Sequence, residues 1–154
     1  MLLTMNYNQP ASLLMNVLRK GFIGLVSLTT SVMAFGGDLT VEILGIVPKG
    51  GKVYVAVYDA PNAFPTSGRQ RFGQVVSSDE ARFIVHFKEL PPGQYAAVAF
   101  QDLNGNGKLD KNLLGIPKEP YGFSNNVRGS MRAPAFSEAA VSLEPDGATT
   151  IVLK

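Results

Sequence analysis

An all-β fold, an antiparallel sandwich of seven strands following an N-terminal signal helix, is what this sequence predicts. Three observations predict it. From Asp38 onward, short segments alternate apolar and polar residues with a period of two. Clusters of Gly, Pro, Asn and Asp punctuate those segments at short spacing. No stretch beyond residue 34 carries a convincing 3.6-residue apolar period. A domain of about 120 residues buries roughly 65% of its unfolded surface, enough for one core without disulfides.

The first element reads as an export signal. Arg19 and Lys20 form a basic region, Gly21 to Met33 is uncharged and mostly apolar, and Val32-Met33-Ala34 ends on a small residue. The apolar run is short for a bilayer span, which needs about 20 residues. Residues 1–34 are therefore expected to be a cleaved signal peptide and residues 35–154 a single sandwich domain. Asn6, Asn8, Gln9 and Pro10 add nothing to a signal, whereas a start at Met15 gives a compact one. The expected location is the periplasm or the exterior, with a membrane contact only through this segment if it stays uncleaved.

Removing the signal also removes the positive charge. The chain has 14 Lys and Arg against 12 Asp and Glu, and Arg19 and Lys20 are the only charges before Phe35. Twelve bases (14 − 2) then face twelve acids, so no basic excess argues for nucleic acid. Cysteine is absent, which excludes a disulfide framework, a thiol nucleophile and thiolate zinc sites.

Asp38 to Ile46 alternates, with Leu39, Val41 and Ile43 on one face. Lys52 to Asp59 does the same through Val53, Val55 and Val57. With Pro48-Lys49-Gly50-Gly51 between them, the two read as an antiparallel hairpin. Ala60 to Gln70 is a polar loop that Phe64 tucks onto the core. Phe72 to Ser77 is a short strand, turned by Ser78-Asp79-Glu80. Ala81 to Lys88 follows, with Phe83, Val85 and Phe87 inward and Arg82, Ile84 and His86 outward. His86 is the only histidine, and the alternation makes it a surface residue rather than a base or ligand.

Leu90-Pro91-Pro92-Gly93 reads as a tight turn with Gly93 at φ > 0. Gln94 to Phe100 is apolar on both faces, as central strands are, and Tyr95 is placed to hydrogen-bond backbone across the corner. A long connection, 102–134, follows; such loops are usually functional or mobile. Ala135 to Leu143 and Ala148 to Leu153 close the chain as a hairpin around Pro145-Asp146-Gly147.

The chemistry-bearing stretch opens the long connection. Asp102-x-Asn104-x-Asn106-Gly107-Lys108-x-Asp110 has the spacing of positions one to nine of an EF-hand-type calcium loop, with Lys108 offering its carbonyl. Position twelve, a bidentate glutamate in such loops, is Leu113, and Lys108 and Lys111 oppose a cation. Any calcium site is therefore weak, in the ~10⁻⁴–10⁻³ M range. The reading preferred for the same residues is two Asn-Gly turns whose side chains bond their own backbone, with no cofactor. Downstream, Tyr121, Phe123, Asn125 and Asn126 offer a binding surface, or pin the loop to the sandwich.

Asp102 through Asp110, Leu114-Gly115-Ile116-Pro117-Lys118-Glu119 and Tyr121-Gly122-Phe123-Ser124-Asn125-Asn126, with Leu90-Pro91-Pro92-Gly93 and Tyr95 upstream, resemble the uncharacterised bacterial family named domain of unknown function 2141. The resemblance runs from about Asp38 to the end. It implies a small exported protein with an immunoglobulin-like or transthyretin-like sandwich, and no established activity. The chain departs from the pattern at Gln101, where many members carry histidine, at Leu103, where an acid is common, and at Pro120, where glycine is common. A metal held through that histidine or acid would lack a ligand here.

The expected function is a non-catalytic exported module that acts in binding or structure through residues 102–126, its partner a protein, a glycan or an envelope component. A carrier of a small apolar ligand and a weak calcium module are the alternatives. A hydrolase fits worst, since Asp102 and Asp110 would be its only carboxylate pair.

Overall fold

The computed structural model describes residues 36–129 and 132–154. The predicted signal segment 1–34, the start at Met15 and the mature start at Phe35 lie outside the described residues. The described chain is all-β, with eight strands: β1 Gly37–Leu44, β2 Lys52–Tyr58, β3 Phe72–Ser77, β4 Arg82–Leu90, β5 Gly93–Asp102, β6 Tyr121–Phe123, β7 Ala140–Leu143 and β8 Gly147–Val152. A 3-10 turn, Ser124–Asn126, and one helical turn, α1 Phe136–Ala139, are the helical elements among the described residues.

The strands form two sheets. One has the order β4-β1-β8; the other has the order β3-β2-β5-β6, with β7 also paired to β5. β5 is central. β2 lies along one edge, while the other edge is shared by β7 against Gly93–Ala96 and β6 against Val98–Phe100. The apolar faces of both sheets meet in one core: Leu39, Val41 and Ile43 from β1, Val53, Val55 and Val57 from β2, and Tyr95, Ala97 and Ala99 from β5. The period-two alternation of these strands is the pattern that buries one face of each.

Two expected hairpins are absent, and one pairing is parallel. β1 and β2 belong to different sheets, as do β7 and β8, and β8 runs parallel to β1. Alternation states that each strand has one apolar face. It does not state whether two such faces lie side by side in one sheet or face each other across two, and here they face. Residues 45–51 cross between the layers with Gly45, Lys49 and Gly51 at positive φ. Gln101 fixes this crossing: its Oε1 accepts the Val47 amide at 2.9 Å, and its Nε2 donates to the carbonyls of Val47 at 2.7 Å and Gly50 at 2.9 Å. Gln101 is thus a fully buried backbone clamp.

Three other expectations are corrected. Ala135 to Leu143 is not one strand, because residues 136–139 form a helical turn before β7. Phe83 is exposed on β4 although Val85 and Phe87 are buried. Gly93 does not take positive φ; the left-handed residue of that corner is Glu89, at φ 56°. A Cβ on Gly93 would meet only Tyr95 Cε2 at 3.8 Å. Gly93→Ala is therefore expected to change stability by less than about 1 kcal/mol, as chemical denaturation would show. The Tyr95 hydroxyl does bridge the corner, donating to the Pro91 carbonyl at 2.8 Å, and its burial raises the phenol pKa.

The outer face of β5 carries a second apolar cluster. Phe64 packs against Tyr58, Phe123 and Phe136 with ring centroids 5.4–5.9 Å apart, so the loop after β2 is held down as expected. This is why β5 is apolar on both faces.

Candidate functional site

The loop between β5 and β6 is built on two buried carboxylates. Asp102 ends β5 and is 1% exposed. Its Oδ1 accepts the amides of Gly105 at 2.8 Å and Asn106 at 3.1 Å, and its Oδ2 accepts that of Gly107 at 2.7 Å. Gly105 and Gly107 both have positive φ, which folds the chain back over the carboxylate. Two further local turns extend the pattern: Asn104 Oδ1 accepts the Asn106 amide at 3.1 Å, and Asn106 Oδ1 accepts the Lys108 amide at 2.8 Å. These are the local side-chain bonds that Asn and Asp form readily.

Glu119 is the second carboxylate and was not singled out from the sequence. Its Oε1 accepts the Leu103 amide at 2.8 Å and its Oε2 the Asp110 amide at 3.0 Å, so it ties both ends of the loop together. An acid between Lys118 and Pro120 looks like a surface residue in the sequence. Only the folding back of the chain, sixteen residues from Leu103, reveals the bond. Asp110 closes the loop, receiving Asn104 Nδ2 at 2.6 Å and Asn106 Nδ2 at 3.0 Å.

Asp102, Asn104, Asn106, Lys108 and Asp110 are thus brought together, but by hydrogen bonds among themselves. As a donor set for a hard cation they fit poorly. Both Asp102 oxygens and both Glu119 oxygens face amide hydrogens, and Asp110 faces two side-chain amides. Among the described residues no group of three or more His, Cys, Asp or Glu converges.

Beyond Asp110 the loop rises as a small hairpin. Lys118 N–H donates to the Asp110 carbonyl at 2.8 Å, Lys111 pairs with Pro117, and Asn112 N–H donates to the Ile116 carbonyl at 2.8 Å. Asn112 Oδ1 accepts the amides of Leu114 at 2.9 Å and Ile116 at 3.0 Å. The tip so formed holds Leu113 at 106% exposure, Leu114 at 83% and Ile116 at 55%.

The other predicted residues make contacts within the sandwich. Phe123 is buried in the second cluster, and half-buried Tyr121 meets it edge-on at 5.9 Å. Asn125 and Asn126 both lie at positive φ, which asparagine tolerates. Asn125 Nδ2 donates to the Ala140 carbonyl at 2.9 Å, and Asn126 Oδ1 accepts the Val152 amide at 2.7 Å. Between them and the sheet, the fully buried Ser124 hydroxyl accepts the Ala97 amide at 2.9 Å and donates to the Ala139 carbonyl. His86 is exposed on β4, its Nδ1 3.2 Å from Thr40 Oγ1.

A family model described as "Uncharacterized protein conserved in bacteria (DUF2141)" matches residues 41–151. No curated protein and no solved structure matches the chain.

Proposed function

The chain belongs to the DUF2141 family of bacterial proteins, and from that premise we propose that it is an exported, non-catalytic module that displays the 103–118 loop to a binding partner in the cell envelope. The observation that carries this reading is the pairing of a stiff base with an apolar tip. Two buried carboxylates fix the loop from below, while Leu113, Leu114 and Ile116 stand in water at its end. Scattered apolar residues on a surface need no explanation, but adjacent ones on a built hairpin do. The sandwich is taken to be immunoglobulin-like or transthyretin-like, supported by the chain's repeated crossings between its two sheets.

A non-catalytic role is supported by the state of the polar groups. Asp102 and Glu119 are bonded to backbone amides rather than aimed at a cleft, and among the described residues His86 has no acid partner in hydrogen-bond reach. The carrier alternative has less support. The space between the sheets is taken by buried side chains, and the groove on the outer face of β1, β4 and β8, about 260 Å³, is open and edged by Thr40, Glu42 and Arg82. Calcium is the second reading, supported by the loop spacing and by Asn104 and Asn106 lying on the same side as the Asp110 carboxylate, although it is their amide nitrogens that face it, at 2.6 and 3.0 Å. Its binding would be weak, with the other carboxylates bonded to amides.

Two measurements test the proposal. Intact mass of the protein recovered from the periplasm or envelope should correspond to a chain starting at Phe35; a retained N-terminus would make residues 1–34 an anchor. The processed protein should co-sediment with the envelope fraction, and Leu113→Ser with Leu114→Ser should release it. Equal retention of the double variant would remove the loop from the binding reaction.

A further inference from the structure

We infer that the partner of this loop is the surface of an anionic phospholipid bilayer, into which the tip at Leu113, Leu114 and Ile116 inserts. This rests on the reading of the loop as the binding element and names what it binds. Three observations carry it.

The tip is apolar and convex. Leu113 and Leu114 are adjacent, nearly or fully exposed, and joined by Ile116 two residues on. Such a group gains by leaving water for hydrocarbon.

Four of the five backbone amides from Asn112 to Ile116 are already satisfied, the Leu113 amide being the exception. The amides of Asn112, Leu114, Gly115 and Ile116 are bonded within the turn, to the Ile116 carbonyl, Asn112 Oδ1, the Asn112 carbonyl and Asn112 Oδ1. Pro117 has no amide hydrogen to satisfy. A segment that enters a bilayer loses water from its backbone groups, so each amide bonded within the turn lowers the cost of a shallow insertion.

The exposed charge around the tip is positive, the acids Asp102 and Glu119 being buried at the base of the loop. Residues 103–118 hold Lys108, Lys111 and Lys118 against one acid, Asp110. All three lysines are exposed, whereas the Asp110 carboxylate is covered by the Asn104 and Asn106 amides. Lys111 lies one rung behind the tip and Lys118 two, so about 3–7 Å separates them from it along the hairpin. That is the depth between acyl chains and phosphates, and lysine stems reach toward the headgroups from such a position.

The chain contains no tryptophan, so a single introduced one reports its own surroundings. Processed Leu113→Trp protein is mixed with vesicles of phosphatidylcholine containing phosphatidylglycerol, with or without bromine on the acyl chains. The Trp emission should shift to the blue and be quenched by the brominated lipid. Val75→Trp, exposed on β3, should do neither. Changing Lys108, Lys111 and Lys118 together to Gln should weaken the vesicle affinity by roughly 100-fold, and vesicles of phosphatidylcholine alone should bind weakly. An unshifted Trp at 113 in the presence of anionic vesicles overturns the inference. So does a blue shift that grows with protein concentration without lipid, which would make the partner a second copy of the chain. If the inference fails while the Leu113→Ser, Leu114→Ser variant still leaves the envelope fraction, the loop remains the binding element and its partner is not lipid. If that variant also stays bound, both readings fall.

Discussion

Gly51→Ala is expected to cost more than about 4 kcal/mol and to leave little folded protein at physiological temperature. Gly51 lies at φ 86°, where any side chain is strained. A Cβ there would also stand 1.9 Å from the Asp102 carbonyl oxygen, with the Asp102 backbone unable to move without disturbing β5 and the carboxylate beside it. Gly105→Ala supplies the control. Gly105 has a similar φ of 76°, but nothing lies within 4 Å of its Cβ position. Its substitution should cost only the backbone strain, about 1–2 kcal/mol. The difference between the two in urea denaturation isolates the contact between the layer crossing and the start of the loop. Equal costs would show that this contact can relax.

The second large effect belongs to Asp102→Ala, expected to destabilise by about 3 kcal/mol. Hydrogen bonds to a charged acceptor are worth roughly 1.5–3 kcal/mol each. Three are lost together, but the amides of Gly105, Asn106 and Gly107 sit in an exposed loop where water replaces part of the loss. Asp102→Asn should fall between, since one carboxylate oxygen becomes a donor facing amide hydrogens that also donate. If Asp102→Ala melts with the wild type, the carboxylate does not hold the loop.

The faces of the strands were legible in the sequence and their partners were not. Leu39, Val41 and Ile43, like Val53, Val55 and Val57, announce their burial by alternation, and each is buried. That β1 and β2 oppose each other instead of pairing depends on the crossing through Gly45, Lys49 and Gly51, pinned by Gln101 from 51 to 54 residues away. No local pattern encodes that contact. β6 escaped notice because three residues, Tyr121–Phe123, are too few for a periodicity. The corner before β5 misled for a related reason. Pro91-Pro92-Gly93 carries the composition of a turn, yet the positive φ falls on Glu89, whose amide is held by Asp38 Oδ1 at 3.1 Å.

In the loop itself the local part was readable and the distant part was not. Asp102 accepting the Asn106 amide follows from spacing alone, since Asn-Gly turns fold the chain over the preceding acid. Glu119 belongs to the same construction but approaches from the far end, where Lys118 and Pro120 give no hint of burial. In the sequence the tip stands out only as a missing calcium ligand at Leu113. Its exposure appears once the Asn112 turn and the Lys111–Pro117 pairing lift it off the sandwich.

The central claim is that the loop is shaped by its own carboxylates, so that it is rigid without a metal. Amide hydrogen exchange of the wild-type protein in a calcium chelator tests it most directly. Leu103 and Asp110, bonded to Glu119, and Gly105, Asn106 and Gly107, bonded to Asp102, should exchange slowly, and adding calcium should change them little. Fast exchange of these five amides in chelator, slowed by calcium, would contradict the account and make the loop a calcium site.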